Sequence, residues 1–184
     1  MLNRWKDISY LLNGNNKQQK AYEVLNNIKI FNILEKYHPI LVGTIPIEID
    51  TENSDLDIIC EVYDFHEFEE LVIAKFKYME GFKIHKEDMN LVVNFKYDGF
   101  EIEIFAQSLE THKQNAYVHM IIEDRILKIA GVDFKNEILK LKEDGVKTEP
   151  AFAKCVNLEG NPYIELLKLY SFSDEEILGM INLQ

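Results

Sequence analysis

Ile40-Leu41-Val42-Gly43-Thr44 and, after a polar loop, Ser54-Asp55-Leu56-Asp57-Ile58-Ile59-Cys60-Glu61 form the stretch whose reading decides the fold. Ile40–Val42 is a short apolar run entering a glycine turn. Asp55–Val62 alternates and is apolar enough to be a strand. Side chains at i and i+2 leave a strand on the same face, so Asp55 and Asp57 are expected side by side. Two such carboxylates repel each other unless water screens them or a cation offsets them. Mg²⁺ is one such cation, since it takes oxygen ligands and typically combines one or two carboxylates with phosphate oxygens. Glycine at position 43 lets backbone approach an anion closely, and the N–H groups of such a turn form an anion-binding nest. Thr44 and Ser54 add hydroxyl donors. Taken alone, an Asp-x-Asp pair on an amphipathic strand reads as two solvated surface acids, and Gly43 reads equally well as a plain tight turn.

A further acid comes from the middle of the chain. Asn90–Tyr97 and Phe100–Phe105 both alternate and flank Asp98-Gly99, which is a strong hairpin signal. In the second strand Phe100, Ile102 and Ile104 share one face, while Glu101, Glu103 and Phe105 share the other. A carboxylate from this face would complete a triad with Asp55 and Asp57, and spacing alone leaves Glu101 and Glu103 both open.

Gly43-Thr44, Asp55-Leu56-Asp57 and Ile102-Glu103-Ile104 resemble the pattern of the nucleotidyltransferase superfamily, the DNA polymerase beta-like fold. The chain is also similar to one uncharacterised bacterial family within it. The segments are Val42-Gly43-Thr44-Ile45-Pro46, Ser54–Glu61, Glu103-Ile104-Phe105-Ala106-Gln107, Gln114-Asn115-Ala116-Tyr117-Val118-His119-Met120 and Lys147-Thr148-Glu149-Pro150-Ala151-Phe152. The resemblance implies an α+β fold: a nucleotidyltransferase-like mixed sheet flanked by helices, with a C-terminal helical part. It selects Glu103 over Glu101, because Ile102 and Ile104 flank Glu103 as in the superfamily pattern. The implied chemistry is Mg²⁺-dependent (or Mn²⁺-dependent) transfer of a nucleoside monophosphate from an NTP to an acceptor hydroxyl. Asp55 and Asp57 would carry the metal that binds the triphosphate, and Glu103 would hold a second metal or take the acceptor's proton. Gly43, Thr44 and Ser54 would line the nucleotide site. The superfamily turn usually has Ser where this chain has Thr44, and many active members follow it with Arg-Gly. Here Ile45–Asp50 carries no basic residue, so the positive partner for the phosphates is expected elsewhere, at Lys147 or Arg125. The alternative is an inactive member of the fold that binds a nucleotide or a protein without turnover.

The chain has 184 residues, enough for one substantial core, and its 47% hydrophobic and 28% charged content is ordinary for a globular protein. A formal net charge of −12 opposes tight non-specific DNA or RNA binding, while a mononucleotide with its metal, or a basic protein partner, remains compatible. The cysteines, Cys60 and Cys155, lie in apolar runs and read as free, buried thiols of a reducing compartment. No segment has the form of a signal peptide or a membrane span, and a cytoplasmic location is expected.

Periodicity predicts helices over Ala21–Tyr37, from a cap at Asp64 up to Gly81, over Gln114–Ile129, Phe134–Glu143, Tyr163–Tyr170 and Ser173–Ile181. A domain boundary is expected near Gly145–Pro150, giving a core at 1–145 with an N-terminal helix and a helical extension at 146–184. His119 and Glu123 are i, i+4 neighbours and read as a structural pair rather than a second metal site. Gln107 and Gln114 either contact a base or tie strand to helix. No Walker loop, dinucleotide glycine fingerprint or Ser-His-Asp arrangement is present.

Overall fold

The computed structural model describes residues 4–87 and 89–181. The chain divides into two compact units, Met1–Glu48 with Ser54–Gln114, and Ile49–Asn53 with Asn115–Gln184. No helix of the described residues is long and apolar enough to cross a membrane.

The first unit is built on a five-stranded sheet of order β1-β2-β5-β4-β3. Its strands are β1 (Ile40–Val42), β2 (Leu56–Glu61), β3 (Glu80–Lys86), β4 (Asn90–Tyr97) and β5 (Phe100–Gln107). β2 and β5 are parallel and the other pairs antiparallel, so the sheet is mixed. A parallel pair needs a long crossover, supplied here by helix α3 (Phe65–Phe76) together with β3 and β4. The β4–β5 hairpin forms as its sequence predicts: Tyr97 pairs with Phe100, and Asp98 and Gly99 both take positive φ, 47° and 86°.

Alternation then sorts the side chains. Leu56, Ile58, Cys60, Leu91, Val93, Phe95, Ile102, Ile104 and Ala106 are buried in one cluster with Val24 and Leu25 of α1 (Asn16–Asn27) and Phe68, Val72 and Phe76 of α3. Phe76 stacks on Phe95 with ring centroids 5.0 Å apart. Burial pushes the Cys60 thiol far above its usual range, as expected of a small core residue. Asp57, Glu103 and Asn94 are left on the opposite face.

Helix signals were less complete. The helix expected over Ala21–Tyr37 begins earlier, where Asn15 forms a reciprocal capping box with Gln18, and it breaks at Lys29, which takes φ 54°. A short helix α2 (Ile30–Ile33) and a 3₁₀ turn follow. The Asp64 carboxylate accepts from the N–H groups of His66 and Glu67, both at 3.0 Å, so that cap is present. Gly81 does not close α3: the helix ends at Phe76, and Gly81 lies inside β3, where the pairing with β4 shifts register.

The second unit contains α4 (Asn115–Ala130), α5 (Val132–Glu143), α6 (Thr148–Cys155), α7 (Pro162–Lys168) and α8 (Asp174–Met180). Pro150 falls in the first turn of α6, where its missing N–H costs nothing. Residues 144–147 connect α5 to α6. Ser173 and Glu176 form the expected capping box on α8.

Gln18 links the first helix to the loop after Gly43. It is 2% exposed, and its amide donates to the Ile45 and Pro46 carbonyls at 2.9 and 3.3 Å. Its Oε1 accepts from the Asn15 N–H at 3.0 Å. A Cβ at Gly14 would meet that oxygen at 1.6 Å, which explains the glycine. Gln18→Ala leaves these carbonyls without their donor and is expected to lower stability by about 1–3 kcal/mol. Urea unfolding measures this, and an unchanged midpoint would contradict the assignment.

Candidate functional site

The backbone register of the first unit composes the site. Val42 pairs with Asp57, Asp57 with Glu103, Glu103 with Asn94, and Asn94 with Lys83. Register partners on neighbouring strands project to the same face of a sheet. Asp57, Glu103, Asn94 and Lys83 therefore form one row across four strands. The Asn94 amide donates to Glu103 Oε2 at 3.0 Å, orienting that carboxylate without neutralising it.

Gly43 sits at the end of β1 with φ 83°, a conformation that L side chains rarely adopt. A Cβ there would lie 2.5 Å from Asp57 Oδ2, so the carboxylate packs directly against the turn. The Thr44 and Ser54 hydroxyls hydrogen-bond at 3.0 Å and hold the two ends of the intervening loop together. Ser54 leads into Asp55, which precedes β2 rather than lying in it and is exposed; Asp57 and Glu103 are half-buried.

Asp55 and Glu103 both line an open cleft of about 180 Å³, together with Asn94, Lys83, Lys96 and Glu101. Glu101 and Glu103, alike in sequence, differ here. Lys96 pairs with Glu101 at 2.8 Å, and this hydrogen bond and charge hold the Glu101 carboxyl below its usual range. Glu103 instead stands beside Asp57 and accepts from a neutral amide.

Asp57 and Glu103 are thus neighbours on one face of the sheet, with Asp57 against the Gly43 turn, and Asp55 shares the cleft with Glu103. Among the described residues they are not a group close enough to share an ion as they stand; the group that is lies in the second unit. The donor set is all oxygen and partly solvated, which suits a hard cation such as Mg²⁺ and not a thiolate-seeking metal.

Lys147 lies in the second unit at the N-cap of α6. Arg125 is engaged within that unit by Asp174 at 2.6 Å and the Phe172 carbonyl at 2.7 Å. The basic residues lining the cleft with the acids are Lys83 and Lys96, which sequence reasoning missed. Lys96 and Asn94 had a usable signal, because a two-residue turn at Asp98-Gly99 fixes Asn94 opposite Glu103 and Lys96 opposite Glu101. Lys83 had none, since the β3–β4 pairing passes through an irregularity. Gln114 is 1% exposed and donates to the Cys60 and Leu109 carbonyls at 3.0 and 2.8 Å, so it ties the chain after β5 back to β2.

Residues 23–169 match the family described as Domain of unknown function (DUF4269). No curated protein matches the chain by sequence. Solved structures do match. A cytoplasmic RNA terminal U-transferase is 16% identical over 79% of this chain and 42% of its own, with a TM-score of 0.54. The Cid1 poly(U) polymerase is 16% identical over 79% of this chain and 44% of its own, with a TM-score of 0.52. Its MgGTP-bound form is 14% identical over 82% and 47%, with a TM-score of 0.51. At these identities the likeness is one of fold: a mixed sheet flanked by helices is common to this chain and these structures. The chain spans less than half the length of each of these structures.

The Gly43 turn yields a direct test. Gly43→Ala forces an L residue into positive φ, at about 1–2 kcal/mol, and pushes on the Asp57 carboxylate. A lower denaturation midpoint and a displaced Asp57 side chain in a crystal structure of the variant are expected. A variant as stable as wild type, with Asp57 unmoved, would show that the turn imposes no constraint.

Proposed function

The chain belongs to the DUF4269 family, and we propose that it is a metal-dependent nucleotidyltransferase moving a nucleoside monophosphate from an NTP to an acceptor hydroxyl. The observation that carries this reading is the register of Asp57 beside Glu103 on adjacent parallel strands, with Asp57 packed against the Gly43 turn. The nucleotidyltransferase fold supports it, and so does the oxygen-rich donor set.

Asp55 and Asp57 would hold Mg²⁺ or Mn²⁺ with the triphosphate, and Glu103 would complete the set. The ion, when bound, neutralises charge that develops on the transferred phosphorus and the leaving pyrophosphate. The residues of the chain supply the rest. Backbone N–H groups at Gly43-Thr44 cradle phosphate oxygens, with the Thr44 and Ser54 hydroxyls in reach of the same loop. Glu103, held by Asn94, accepts the proton of the acceptor hydroxyl. The hydroxyl oxygen then bonds to the α-phosphorus, and the bond from that phosphorus to the bridging oxygen breaks. Its electron pair leaves with pyrophosphate. Lys83 brings a cation to the cleft, suited to a phosphate-bearing acceptor or to the leaving group, while Lys96 is paired with Glu101. We assign the protein to the cytoplasm, with NTP as its partner.

A second reading is favoured by one feature. Ile45–Asp50 has no basic residue after the turn, which suits a module that binds a nucleotide or a protein without turnover.

Metal linkage tests the donor set. The stabilising term is RT ln(1 + [L]/Kd), about 2.7 kcal/mol at a hundredfold excess over Kd. Mg²⁺ or Mn²⁺ with NTP should raise the melting temperature of wild type, and Asp57→Asn should lose that rise while keeping or gaining metal-free stability. Equal shifts in both proteins reject Asp57 as a ligand. Turnover separates the two readings. Pyrophosphate release is measured across several NTPs, with cell extract supplying acceptors. Glu103→Gln is expected to lose about 10²-fold or more in rate with little loss of NTP affinity. Wild type that binds NTP and releases no pyrophosphate would establish the binding module instead.

A further inference from the structure

The second unit holds a cluster that the proposed transfer does not use. His119 and Glu123 lie one turn apart on α4, and Glu149 is the second residue of α6. Among the described residues, one ring nitrogen of His119 and one carboxylate oxygen each from Glu123 and Glu149 lie within 4.8 Å of one another. The sequence suggests a His119–Glu123 pair, but the pairing found is different. His119 Nδ1 faces Glu149 Oε1 at 3.5 Å, and Glu123 Oε1 is buried without a hydrogen-bond partner.

The tautomer sharpens the point. His119 Nε2 lies 3.0 Å from the Tyr163 carbonyl, which can only accept, so Nε2 carries the hydrogen. In the neutral imidazole, Nδ1 is then a bare lone pair aimed at a carboxylate. With the imidazole neutral, three acceptors face one another at a site where His119 is 7% and Glu123 4% exposed; with it protonated, Nδ1–H donates to Glu149 and Glu123 Oε1 is still without a partner. Burial and the Glu149 charge push the Glu123 carboxyl well above its usual range, while Lys142 opposes them. Buried acceptors without donors are costly unless protons or a cation intervene.

We propose that His119, Glu123 and Glu149 bind a divalent transition-metal ion of the zinc class, joining α4 to α6. Ligands about 2.1 Å from a tetrahedral ion stand about 3.4 Å apart, close to the 3.5 Å already separating His119 Nδ1 from Glu149 Oε1. The Glu123 carboxylate oxygen lies within 4.8 Å of both. The Tyr163 carbonyl on His119 Nε2–H is the arrangement that fixes the tautomer and orientation of metal-bound histidines. An imidazole with two carboxylates favours Zn²⁺, Fe²⁺, Ni²⁺ or Mn²⁺ over Mg²⁺. Two carboxylates balance the charge of the ion. The Lys142 ammonium, which donates to Thr148 Oγ1 at 2.7 Å, lowers the affinity without occupying a ligand position. Glu149, the most exposed of the three, with its side chain 25% exposed, gives the ion a way in, and a water completes the coordination. This site stands independently of the proposed transferase reading.

The test uses Zn²⁺ alone on the full chain, freed of metal by chelator and held in excess Mg²⁺ to occupy harder carboxylate sites. Wild type and Asp57→Asn should each retain one Zn²⁺ per chain after desalting. His119→Gln and Glu123→Gln, checked for fold by circular dichroism, should bind it more than about 10-fold more weakly, the least expected given what loss of an outer-shell partner already costs. Zinc retained equally by wild type and both variants, or by none of them, overturns the proposal. Should neither variant fold, Co²⁺ binding to wild type decides: visible absorption bands displaced by Zn²⁺ support the site, and their absence overturns it.

Discussion

Parallel pairing of β2 with β5 is the constraint on which the rest of the candidate active site depends. It sets Asp57 directly beside Glu103, two residues far apart in the chain, and it makes the chain cross over through α3, β3 and β4 before the second acid arrives. The same alternation that directs Ile58, Ile102 and Ile104 into the core directs Asp57 and Glu103 out of it. A one-residue slip of β5 would exchange these faces, burying the acids and exposing the isoleucines. The apolar face thus enforces the register that the polar face needs. Core packing and site geometry are two consequences of one pairing.

Gly43 adds a second level of control. Its positive φ turns the chain at the end of β1, and the absent side chain makes room for the Asp57 carboxylate. Gln18 holds the loop that follows from below, and the Thr44–Ser54 hydrogen bond closes it. The loop before Asp55 is therefore fixed at both ends. Backbone and core, which do not depend on the charges, hold the acids in place here.

Much of this was legible in the sequence, because period-two patterns and turn chemistry are local. The Asp98-Gly99 hairpin, both strands beside it, β1, β2 and the caps at Asp64 and Ser173 follow from residues within a few positions of one another. What escaped was non-local or conformationally special. Nothing local says that Lys29 takes a left-handed conformation and splits a helix, or that Gly81 sits at a strand irregularity instead of a helix end. Lys83 of the cleft lies on a strand whose pairing, through an irregularity, only the folded sheet reveals. Glu149 reaches His119 from a different helix, α6, so periodicity on α4 alone suggested the wrong pair.

The central claim is that the Asp57–Glu103 pair, with Asp55, builds a metal–nucleotide site against the Gly43 turn. Crystals grown with Mn²⁺ and a non-hydrolysable NTP, measured at the manganese edge, test it most directly. The account predicts anomalous density within about 2.2 Å of carboxylate oxygens of Asp55 and Asp57, with the triphosphate on the Gly43-Thr44 backbone. Nucleotide bound elsewhere, or bound here with no manganese at these carboxylates, would contradict it.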